Sequence, residues 1–381
     1  MKKLSIVISH PIQYYAPVFR LLAQQCELKV FYTLGSDIES GLYDNGFKKI
    51  IKWDINLLDG YEYEFLENKA RERGSHHFLG INNPDIIQRV GNFKPDAIFI
   101  YGWAYYSHLK VLRYFKGKIP IWFRGDSHLL DSKPVWRNLA RKALLTWVYS
   151  YIDKAFYVGS ANKAYFKSFG LKEHQLIFAP HAVDNERFSE VRAEEVGSLR
   201  KNLKIGEQET LILFAGKLER KKNPELLLQA FLDLKMDNVH LLFVGNGELE
   251  ESLKLKAESF KPNIHFMDFQ NQSYMPVVYQ ACDLFCLPSQ GPNETWGLAV
   301  NEAMASGKAI LISDKVGCYI DLIHENNGHI LRSSGLSSLQ ECLIKVLNND
   351  LNEMGQYSKQ IINKWSFKNQ VSVILNSLCE E

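Results

Sequence analysis

Cysteine is scarce in this sequence and forms no cluster. Only six cysteines occur among 381 residues, and the closest two, Cys282 and Cys286, have no second cysteine or histidine pair to match them. A structural zinc site needs four such ligands at short spacings, and a disulfide framework is typical of short secreted chains. The pattern therefore favours neither, and we expect reduced thiols in a cytoplasmic chain.

Long hydrophobic runs and an excess of one charge are also absent. No stretch approaches the run of about 18 apolar residues that spans a membrane. The apolar run at residues 4–9 is shorter than a signal-peptide core of about 7–15 residues. Because 45 basic and 43 acidic side chains give a net charge of +2, no nucleic-acid partner is indicated. We expect a protein that is soluble or rests on a membrane surface.

Short apolar runs alternate with longer amphipathic segments along nearly the whole chain. The runs predict β-strands at residues 4–9, 28–33, 96–101, 119–123, 154–159, 175–179, 210–215, 239–244, 264–267, 283–288 and 309–313. Continuous apolar strands joined by helices are typical of parallel sheets that are covered on both faces. Two such series predict an α/β protein with two doubly wound, Rossmann-like halves.

A polar, charge-dense stretch at 189–208 separates the two series. It predicts a first domain over 1–190 and a second over 191–364. The helical end of the chain, about 365–381, belongs either to the second domain or packs back on the first. Ligands of open α/β sheets bind beyond the carboxyl ends of the strands. We therefore expect the site in a cleft between facing halves, on the loops that follow the strands.

The loop after strand 210–215 combines a glycine with several cations. Gly216 permits a tight exit from the strand, and Pro224 suits the first turn of a helix that Asn223 could cap. The cations between them are Lys217, Arg220, Lys221 and Lys222. Cations beside a helix start predict an anion site, although a solvated basic loop gives the same pattern.

Two further loops follow strands 239–244 and 283–288. Gly245 is the first residue of the first loop. Either a phosphate contact or strand-to-helix packing alone would explain a glycine at that position. In the second, Glu294 stands on a loop where we expect it to be exposed, Gly297 leaves room at the helix amides, and Glu302 lies about two turns on. Carboxylates can bind the vicinal hydroxyls of a sugar. Alternatively, Glu294 favours a helix start and Glu302 faces solvent.

Cations and amides for phosphate, with carboxylates for hydroxyls, together describe a nucleotide-sugar site. The arrangement resembles the retaining family 4 glycosyltransferases of the GT-B fold, also called glycosyl transferases group 1. That family's E-x7-E motif matches Glu294 and Glu302, and its glycine-basic motif matches Gly216, Lys217 and Lys222. The resemblance covers most of 145–380 and is densest at 283–323.

The resemblance implies transfer of a hexose-type sugar, with retention, from a UDP- or GDP-linked donor to a hydroxyl of a glycan, glycolipid or lipid-linked acceptor. It implies that Lys217 and Lys222 neutralise the diphosphate, that Glu294 holds the sugar and Glu302 the ribose. The other implied donor-binding residues are Gly216, Gly245, Phe269, Gln270, Thr295, Trp296, Gly297 and Leu298. Where many relatives have arginine this chain has Lys217, which keeps the charge but loses bidentate geometry.

Two further expectations concern cofactors and competing functions. The chain has no Asp-x-Asp triplet, which fits a reaction without a metal ion or another cofactor, in which lysines stabilise the leaving group. A nucleotide-sugar epimerase and a non-catalytic nucleotide-sugar-binding protein of the same fold are the alternatives.

The first half is expected to hold the acceptor. His10 and Gln13 follow the first strand, and Arg124, Asp126 and His128 follow strand 119–123. Asp126 is a candidate base for the acceptor hydroxyl, His10 a second catalytic candidate, and Arg124 a candidate phosphate ligand. Loop capping or a structural ion pair would explain the same residues.

A basic amphipathic segment at 134–151 also lies in the first half. Such a helix can rest on an anionic lipid surface, which would give peripheral contact with the cytoplasmic face of a membrane. A crossover helix that buries its aromatic stripe on the sheet is the alternative.

Overall fold

The protein is described by a computed structural model that covers residues 1–36, 42–44, 49–130, 135–258, 262–332 and 335–381. The chain divides into two compact units. Unit 1 comprises Met1–Leu42, Ile55–His181 and Phe367–Glu381, and unit 2 comprises Tyr43–Asp54 and Ala182–Ser366. The division thus falls earlier than the predicted residue 190, and the transfer of a short early segment to unit 2 was not predicted.

Unit 1 is built on a seven-stranded parallel sheet. The strands of the first half of the chain are β1 (Lys3–Ile8), β2 (Glu27–Tyr32), β3 (Leu42–Asp44), β4 (Lys49–Ile51), β5 (Glu62–Phe65), β6 (Ala97–Tyr101), β7 (Ile121–Arg124), β8 (Lys154–Tyr157) and β9 (Leu176–Phe178). The order in the sheet is β5-β2-β1-β6-β7-β8-β9, and every described pairing is parallel. β3 and β4 form a separate two-stranded sheet.

Helices cover both faces of this sheet because neighbouring residues of a strand point to opposite sides. The helices of the first half are α1 (Ala16–Ala23), α2 (Ile86–Phe93), α3 (Tyr106–Phe115), α4 (Val135–Tyr149) and α5 (Ser160–Ser168). In β6, Phe99 packs in one buried cluster with side chains of α1, whereas Ile98 and Ile100 pack in another with side chains of α2 to α5.

Unit 2 is built on a six-stranded parallel sheet. Its strands are β10 (Thr210–Ala215), β11 (Val239–Val244), β12 (Ile264–Met267), β13 (Leu284–Leu287), β14 (Ala309–Ser313) and β15 (Gly328–Leu331). They lie in the order β12-β11-β10-β13-β14-β15, which is the strand order of dinucleotide-binding Rossmann folds. The predicted class, two doubly wound parallel α/β halves, is confirmed.

The remaining helices follow the second series of strands. They are α6 (Asn185–Ser189), α7 (Ala193–Asn202), α8 (Pro224–Leu234), α9 (Glu250–Glu258), α10 (Met275–Ala281), α11 (Leu298–Ala305), α12 (Tyr319–Leu322), α13 (Leu336–Leu347), α14 (Leu351–Ile362) and α15 (Phe367–Glu380). α15 lies in unit 1, where Val371, Ile374 and Leu378 join the buried cluster of α1. Within the described ranges, no helix is both long enough and apolar enough to cross a membrane.

Candidate functional site

In unit 2 the strand order reverses between β10 and β13, which are neighbours in the sheet although β11 and β12 separate them in sequence. Such a reversal opens a crevice beyond the carboxyl ends of the strands, and ligands of open α/β sheets bind there. The loop 216–223 follows β10, and the loop 288–297 follows β13. The loop with the predicted phosphate-binding lysines and the loop with Glu294 therefore meet at this point.

A buried ion pair joins the two loops. The Lys222 Nζ atom donates a hydrogen bond to Oε2 of Glu294 at 2.7 Å, and the two side chains are only 14% and 9% exposed. The hydroxyl of Ser289 lies 3.4 Å from the same carboxylate oxygen. This corrects the expectation that Glu294 is an exposed loop residue, and it brings the predicted phosphate and sugar ligands into direct contact.

Backbone conformation places Lys222 in this position. Residues Arg220–Lys222 form one 3-10 turn, and Asn223 then adopts a left-handed conformation, with φ of 57°, before α8 begins at Pro224. Asn223 makes no side-chain cap, contrary to the expectation for it. Gly216 has φ of 146°, and an added Cβ there would lie 3.4 Å from Cδ and Cε of Lys222. An added Cβ would only touch the lysine, so the positive φ, and not a lack of space, is what favours glycine at this position.

Close backbone contacts hold the neighbouring loops together. A Cβ added at Gly247 would lie 2.4 Å from the carbonyl oxygen of Leu218, so only glycine fits there. Gln290 donates from its backbone to the carbonyl of Lys221 at 2.9 Å and from its side chain to that of Arg220 at 2.8 Å. The basic loop is thus anchored on both sides and is not a freely solvated segment.

Helix α11 begins directly beyond the ion pair. Its N-cap, Gly297, has φ of 90°, and an added Cβ would lie 2.5 Å from Cγ1 of Val316. The first amides of a helix have no intrahelical partner and carry partial positive charge, so those from Leu298 onward can meet an anion. Gly317 donates its backbone N–H to the carbonyl of Glu294 at 3.0 Å, which fixes the loop before the helix.

Two predicted donor-binding side chains lie in the interior of unit 2. The Trp296 indole is buried and donates to Oδ1 of Asn301 at 2.9 Å, so a donor contact would fall to the backbone of residues 295–296. Glu302 is also buried, and its Oε2 accepts a hydrogen bond from the hydroxyl of Tyr279 at 2.8 Å. The alternative that Glu302 faces solvent is therefore wrong. Sequence reasoning missed Tyr279, which lies on α10.

The glycines that end β10 and β11 use their amides within the sheet. Gly216 donates to the carbonyl of Val244, and Gly245 donates to that of Met267, both at 2.9 Å. These amides extend the strand ladder and are not directed at a phosphate. The predicted phosphate contacts therefore fall to the lysines, of which Lys217 is half-buried, and to the tip of α11.

The loop after β12 carries two more of the implied donor-binding residues, Phe269 and Gln270. Phe269 donates its backbone N–H to Oδ1 of Asn246 at 3.0 Å, and Gln270 donates its side-chain amide to the carbonyl of Asp268 at 2.9 Å. The ring of Trp53 lies 6.2 Å from that of Phe269. Sequence reasoning missed Trp53, because it lies more than two hundred residues before Phe269 in the chain.

Unit 1 has its own reversal of strand order, between β1 and β6. His10 follows β1 there, its Nδ1 lies 2.9 Å from the Ser9 hydroxyl, and Gln13 is half-buried nearby in sequence. Burial lowers the pKa of His10 to about 4, so the imidazole is neutral at pH 7. The pKa of Tyr105, which follows β6, is raised overall, because the effect of burial exceeds that of a hydrogen bond with Ser9, which lowers it. His10 can thus exchange hydrogen bonds with an acceptor hydroxyl but carries no charge.

Arg124 lies in the interior of unit 1 and is only 1% exposed. Its two terminal nitrogens donate to the carbonyls of Ala179 and Pro180 at 3.0 and 3.1 Å, and its guanidinium lies 5.9 Å from the Tyr15 ring. The expectation that Arg124 binds a phosphate is therefore wrong, because the guanidinium is enclosed and bound to backbone carbonyls.

The other two residues of this loop differ from each other. His128 is buried, and its Nδ1 accepts the backbone N–H of Leu130 at 3.1 Å, as the loop-capping alternative expects. Asp126 is half-buried beside Tyr15, whose pKa is raised to about 12, chiefly by burial. Asp126 therefore remains the candidate base of this loop.

A loop that sequence reasoning missed lies between β5 and α2. Asn68 is buried and bonds four backbone groups, among them the carbonyl of Gly80 at 2.9 Å and the N–H of Asn82 at 2.9 Å. Asn83 is also buried and donates to the carbonyls of Thr33 and Glu67, both at 2.9 Å. The two asparagines hold the base of the loop 69–80 against the carboxyl ends of the strands.

Helix α4 has both a buried and an exposed apolar side. Leu145, Val148 and Tyr149 pack in the core of unit 1, as the crossover interpretation expected. Leu139, however, is 67% exposed, and Trp147 is exposed as well. The predicted start of the helix at residue 134 lies outside the described residues.

Residues 196–364, which include every predicted donor-binding residue, match the family described as Glycosyl transferases group 1. The resemblance predicted from the two motifs is therefore confirmed. Over 143 residues the chain is 29% identical to the phosphatidyl-myo-inositol mannosyltransferase of Mycobacterium leprae, a match that covers 37% of this chain and 38% of that protein. The chain thus spans less than two thirds of that relative's length.

Two longer matches extend the comparison. Over 268 residues the chain is 24% identical to the GDP-mannose-dependent monoacylated alpha-(1-6)-phosphatidylinositol monomannoside mannosyltransferase of Corynebacterium glutamicum, with 68% of each covered. The crystal structure of Anabaena HepE in complex with UDP and glucose covers 100% of both chains with a TM-score of 0.75 and 14% identity. At that identity the likeness to HepE concerns the fold.

Proposed function

Because residues 196–364 belong to the glycosyl transferases group 1 family, we propose that the chain is a glycosyltransferase. It moves a hexose-type sugar from a nucleoside diphosphate sugar to a hydroxyl of a glycan, glycolipid or lipid-linked acceptor. The observation that carries the proposal is the buried pair of Lys222 and Glu294, at the point where the strand order of unit 2 reverses. The name of the HepE complex, with UDP and glucose, agrees with such a donor.

The pair provides both contacts that a nucleotide-sugar needs at its reacting bond. An ammonium group has three N–H donors, so Lys222 can hold Glu294 and a phosphate oxygen at the same time. The Glu294 carboxylate accepts hydrogen bonds from sugar hydroxyls. As the anomeric bond breaks, negative charge develops on the diphosphate, and Lys222, Lys217 and the tip of α11 stabilise it.

Retention and metal independence are parts of the same proposal. Fixed cations and helix amides supply the stabilisation that a divalent ion provides elsewhere, and the chain has no Asp-x-Asp triplet. The bond between the anomeric carbon and the diphosphate breaks, and the acceptor oxygen bonds to that carbon on the same face, which keeps the anomeric configuration. A phosphate oxygen of the departing diphosphate takes the acceptor proton. His10 and Asp126 orient the acceptor hydroxyl.

The loop 69–80 favours an acceptor that carries both charge and apolar surface. Arg71 and Arg73 are exposed on it, and so are the side chains of Phe78 and Leu79. The ring of Phe78 lies edge-on to that of Tyr106, the first residue of α3, at 6.3 Å. Cationic and apolar groups on one anchored loop suit a glycolipid or a lipid-linked acceptor with an anionic head.

We infer a peripheral position on the cytoplasmic face of a membrane, which the composition and exposed side chains of α3 and α4 support. Neither 106–115 nor 135–149 contains an acidic residue. Tyr114 and Trp147 are exposed, Arg113 lies 5.7 Å from the Trp147 ring, and Lys118 lies 3.5 Å from the Tyr114 ring. Aromatic side chains next to cations are suited to the interface of an anionic bilayer.

The first experiment identifies the donor and then tests transfer. Thermal unfolding is measured with UDP-, GDP-, ADP- and dTDP-sugars, and a donor that binds only the native state adds about 2.7 kcal/mol at 100 times its dissociation constant. Release of nucleoside diphosphate is then measured with and without added acceptors. Glu294→Gln should retain affinity for the nucleoside diphosphate but lose transfer by at least about a hundredfold.

The control is Glu251→Gln, at an exposed carboxylate on α9, which should transfer sugar as the wild type does. Unchanged turnover in Glu294→Gln would remove this residue from the mechanism. A donor that is converted without any acceptor would favour the epimerase, and binding without conversion would favour the non-catalytic protein.

A further inference from the structure

We propose that Trp53, together with Phe269, forms an aromatic wall that receives the base of the nucleoside diphosphate, and that Trp53 is a residue that determines nucleotide affinity. The proposal rests on the proposed function, since it concerns the same donor site. It assigns a part of that site to a residue from the first half of the sequence. The tests below separate its failure from failure of the proposed function.

The segment around Trp53 is fastened to unit 2 on both sides of the indole. The side-chain amide of Asn271 donates to the carbonyl of Lys52 at 2.7 Å, and its oxygen accepts the N–H of Asp54 at 3.3 Å. The carboxylate of Asp54 accepts the N–H of Ser273 at 3.2 Å and also its hydroxyl. Trp53 is thus held by its two neighbours at the loop 268–274.

That loop lies at the ligand-binding edge of the sheet. It follows β12, and the loops of Lys222 and Glu294 follow β10 and β13, so all three leave the carboxyl ends of parallel strands. β11 alone separates β12 from β10, which puts the two loops about 10 Å apart at a strand spacing of about 4.8 Å. A ribose with its phosphates covers such a span. A diphosphate held at Lys222 would therefore carry its base to Phe269 and Trp53.

The two rings are arranged to accept a third ring. Their centroids are 6.2 Å apart and their planes differ by 60°, so the two rings are in tilted contact and are not stacked face to face. Both side chains are only half-buried. A nucleobase can stack on any aromatic face, and such stacking is sequence-tolerant because every base has a π-face. Because hydrogen bonds fix the backbone on both sides of Trp53, little freedom remains to be lost when the base binds.

Comparing a nucleoside diphosphate with a ligand that has no base isolates this contact. Binding of UDP, GDP and inorganic pyrophosphate to the full chain is measured by calorimetry for the wild type, Trp53→Ala and Trp53→Phe. We expect Trp53→Ala to weaken whichever nucleoside diphosphate binds by about tenfold or more. Affinity for pyrophosphate should not change, and Trp53→Phe should retain most of the affinity, since a phenyl ring still stacks.

Tyr63→Ala is the matched control, because Tyr63 is an exposed aromatic residue on β5 of unit 1. It should bind all three ligands as the wild type does. Asp54→Ala releases the anchor on Ser273 and should weaken the nucleoside diphosphate without affecting pyrophosphate, which gives a second measurement if Trp53→Ala does not fold.

Two results would overturn the proposal. One is an unchanged nucleoside diphosphate affinity in Trp53→Ala, and the other is an equal loss for pyrophosphate, which would give the segment a purely structural role. If the wild type binds neither nucleoside diphosphate nor pyrophosphate, the proposed function fails instead.

Discussion

A lysine and a carboxylate that are both removed from water stabilise a protein only as a pair. Each charge loses hydration when it is buried, and the partner's charge and hydrogen bonds compensate for that loss. Lys222 and Glu294 are in this situation, at 2.7 Å from each other with little exposure. Their contact therefore contributes to the structure of unit 2 as well as to the binding of a donor. Single substitutions at this pair should therefore lower the stability of unit 2 in addition to their effects on donor binding or transfer.

We predict that Lys222→Met destabilises unit 2 by about 3 kcal/mol, because it leaves the Glu294 carboxylate buried without its cation. The double variant Lys222→Met with Glu294→Gln should recover most of that loss, since the second change removes the unpaired charge. Chemical unfolding of the wild type, both single variants and the double variant gives the coupling free energy, which should exceed about 1 kcal/mol. Additive effects would mean that the pair does not interact in solution.

The sequence predicts these two residues because each follows a strand of the same sheet, and parallel strands end at one edge. It could not predict Arg124 correctly, since the carbonyls that bind its guanidinium belong to residues 179–180, more than fifty positions along the chain. It likewise missed the bond between Glu302 and Tyr279, because helix packing, not spacing, brings those side chains together.

At the scale of elements, the start of α11 depends on one glycine. Gly297 caps the helix in a left-handed conformation. A Cβ added there would lie 2.5 Å from Cγ1 of Val316, which leaves no room for a methyl group. The position of the helix tip next to Glu294 follows from this tight turn. A side chain at 297 would have to move either the helix or the loop after β14.

We predict that Gly297→Ala destabilises unit 2 by at least about 1–2 kcal/mol and weakens nucleoside diphosphate binding, because φ of 90° strains a residue with a Cβ and Val316 must shift. Thermal unfolding and calorimetry measure the two effects. The control is Gly197→Ala in the middle of α7, where an added Cβ meets nothing within 4 Å. That change should stabilise the protein by about 0.5–1 kcal/mol. Equal behaviour of the two variants would contradict the argument.

The predicted strands of both halves agree with the structure to within about two residues, since each is an apolar run and most of them are buried. β5 was missed because its sequence, EYEF, alternates polar and aromatic residues at the edge of the sheet. Glu62 and Glu64 bond Lys29 of β2 there, at 2.8 and 3.2 Å. The transfer of Tyr43–Asp54 to unit 2 could not be predicted either, because its anchors are hydrogen bonds from the distant loop 268–274.

At the scale of the whole molecule, several buried or half-buried histidines have lowered pKa values and are neutral at pH 7. Burial lowers the pKa of His10, His108 and His265 to about 4 each, and that of His181 well below its usual value. Nδ1 of His108 lies 2.8 Å from the carbonyl of Gly102, so it carries a proton, and Nε2 lies 2.9 Å from the Thr33 hydroxyl. The neutral ring is favoured by burial, which is the main cause of the lowered pKa.

These histidines give stability a defined dependence on pH. Between pH 6.5 and about 4 the unfolded chain binds protons that the folded protein does not, so the free energy of unfolding rises with pH across this window and falls on acidification. For His108, which is fully buried, the loss of stability at pH 4 amounts to at most about 3 kcal/mol.

We predict that His108→Gln is less stable than the wild type at pH 7. Its melting temperature, measured by calorimetry in matched buffers, should fall less than that of the wild type between pH 6.5 and 5. His76→Gln, at an exposed histidine, should keep the wild-type pH dependence. If His108→Gln and the wild type show the same change over this window, the enclosed imidazole is not a source of the acid sensitivity.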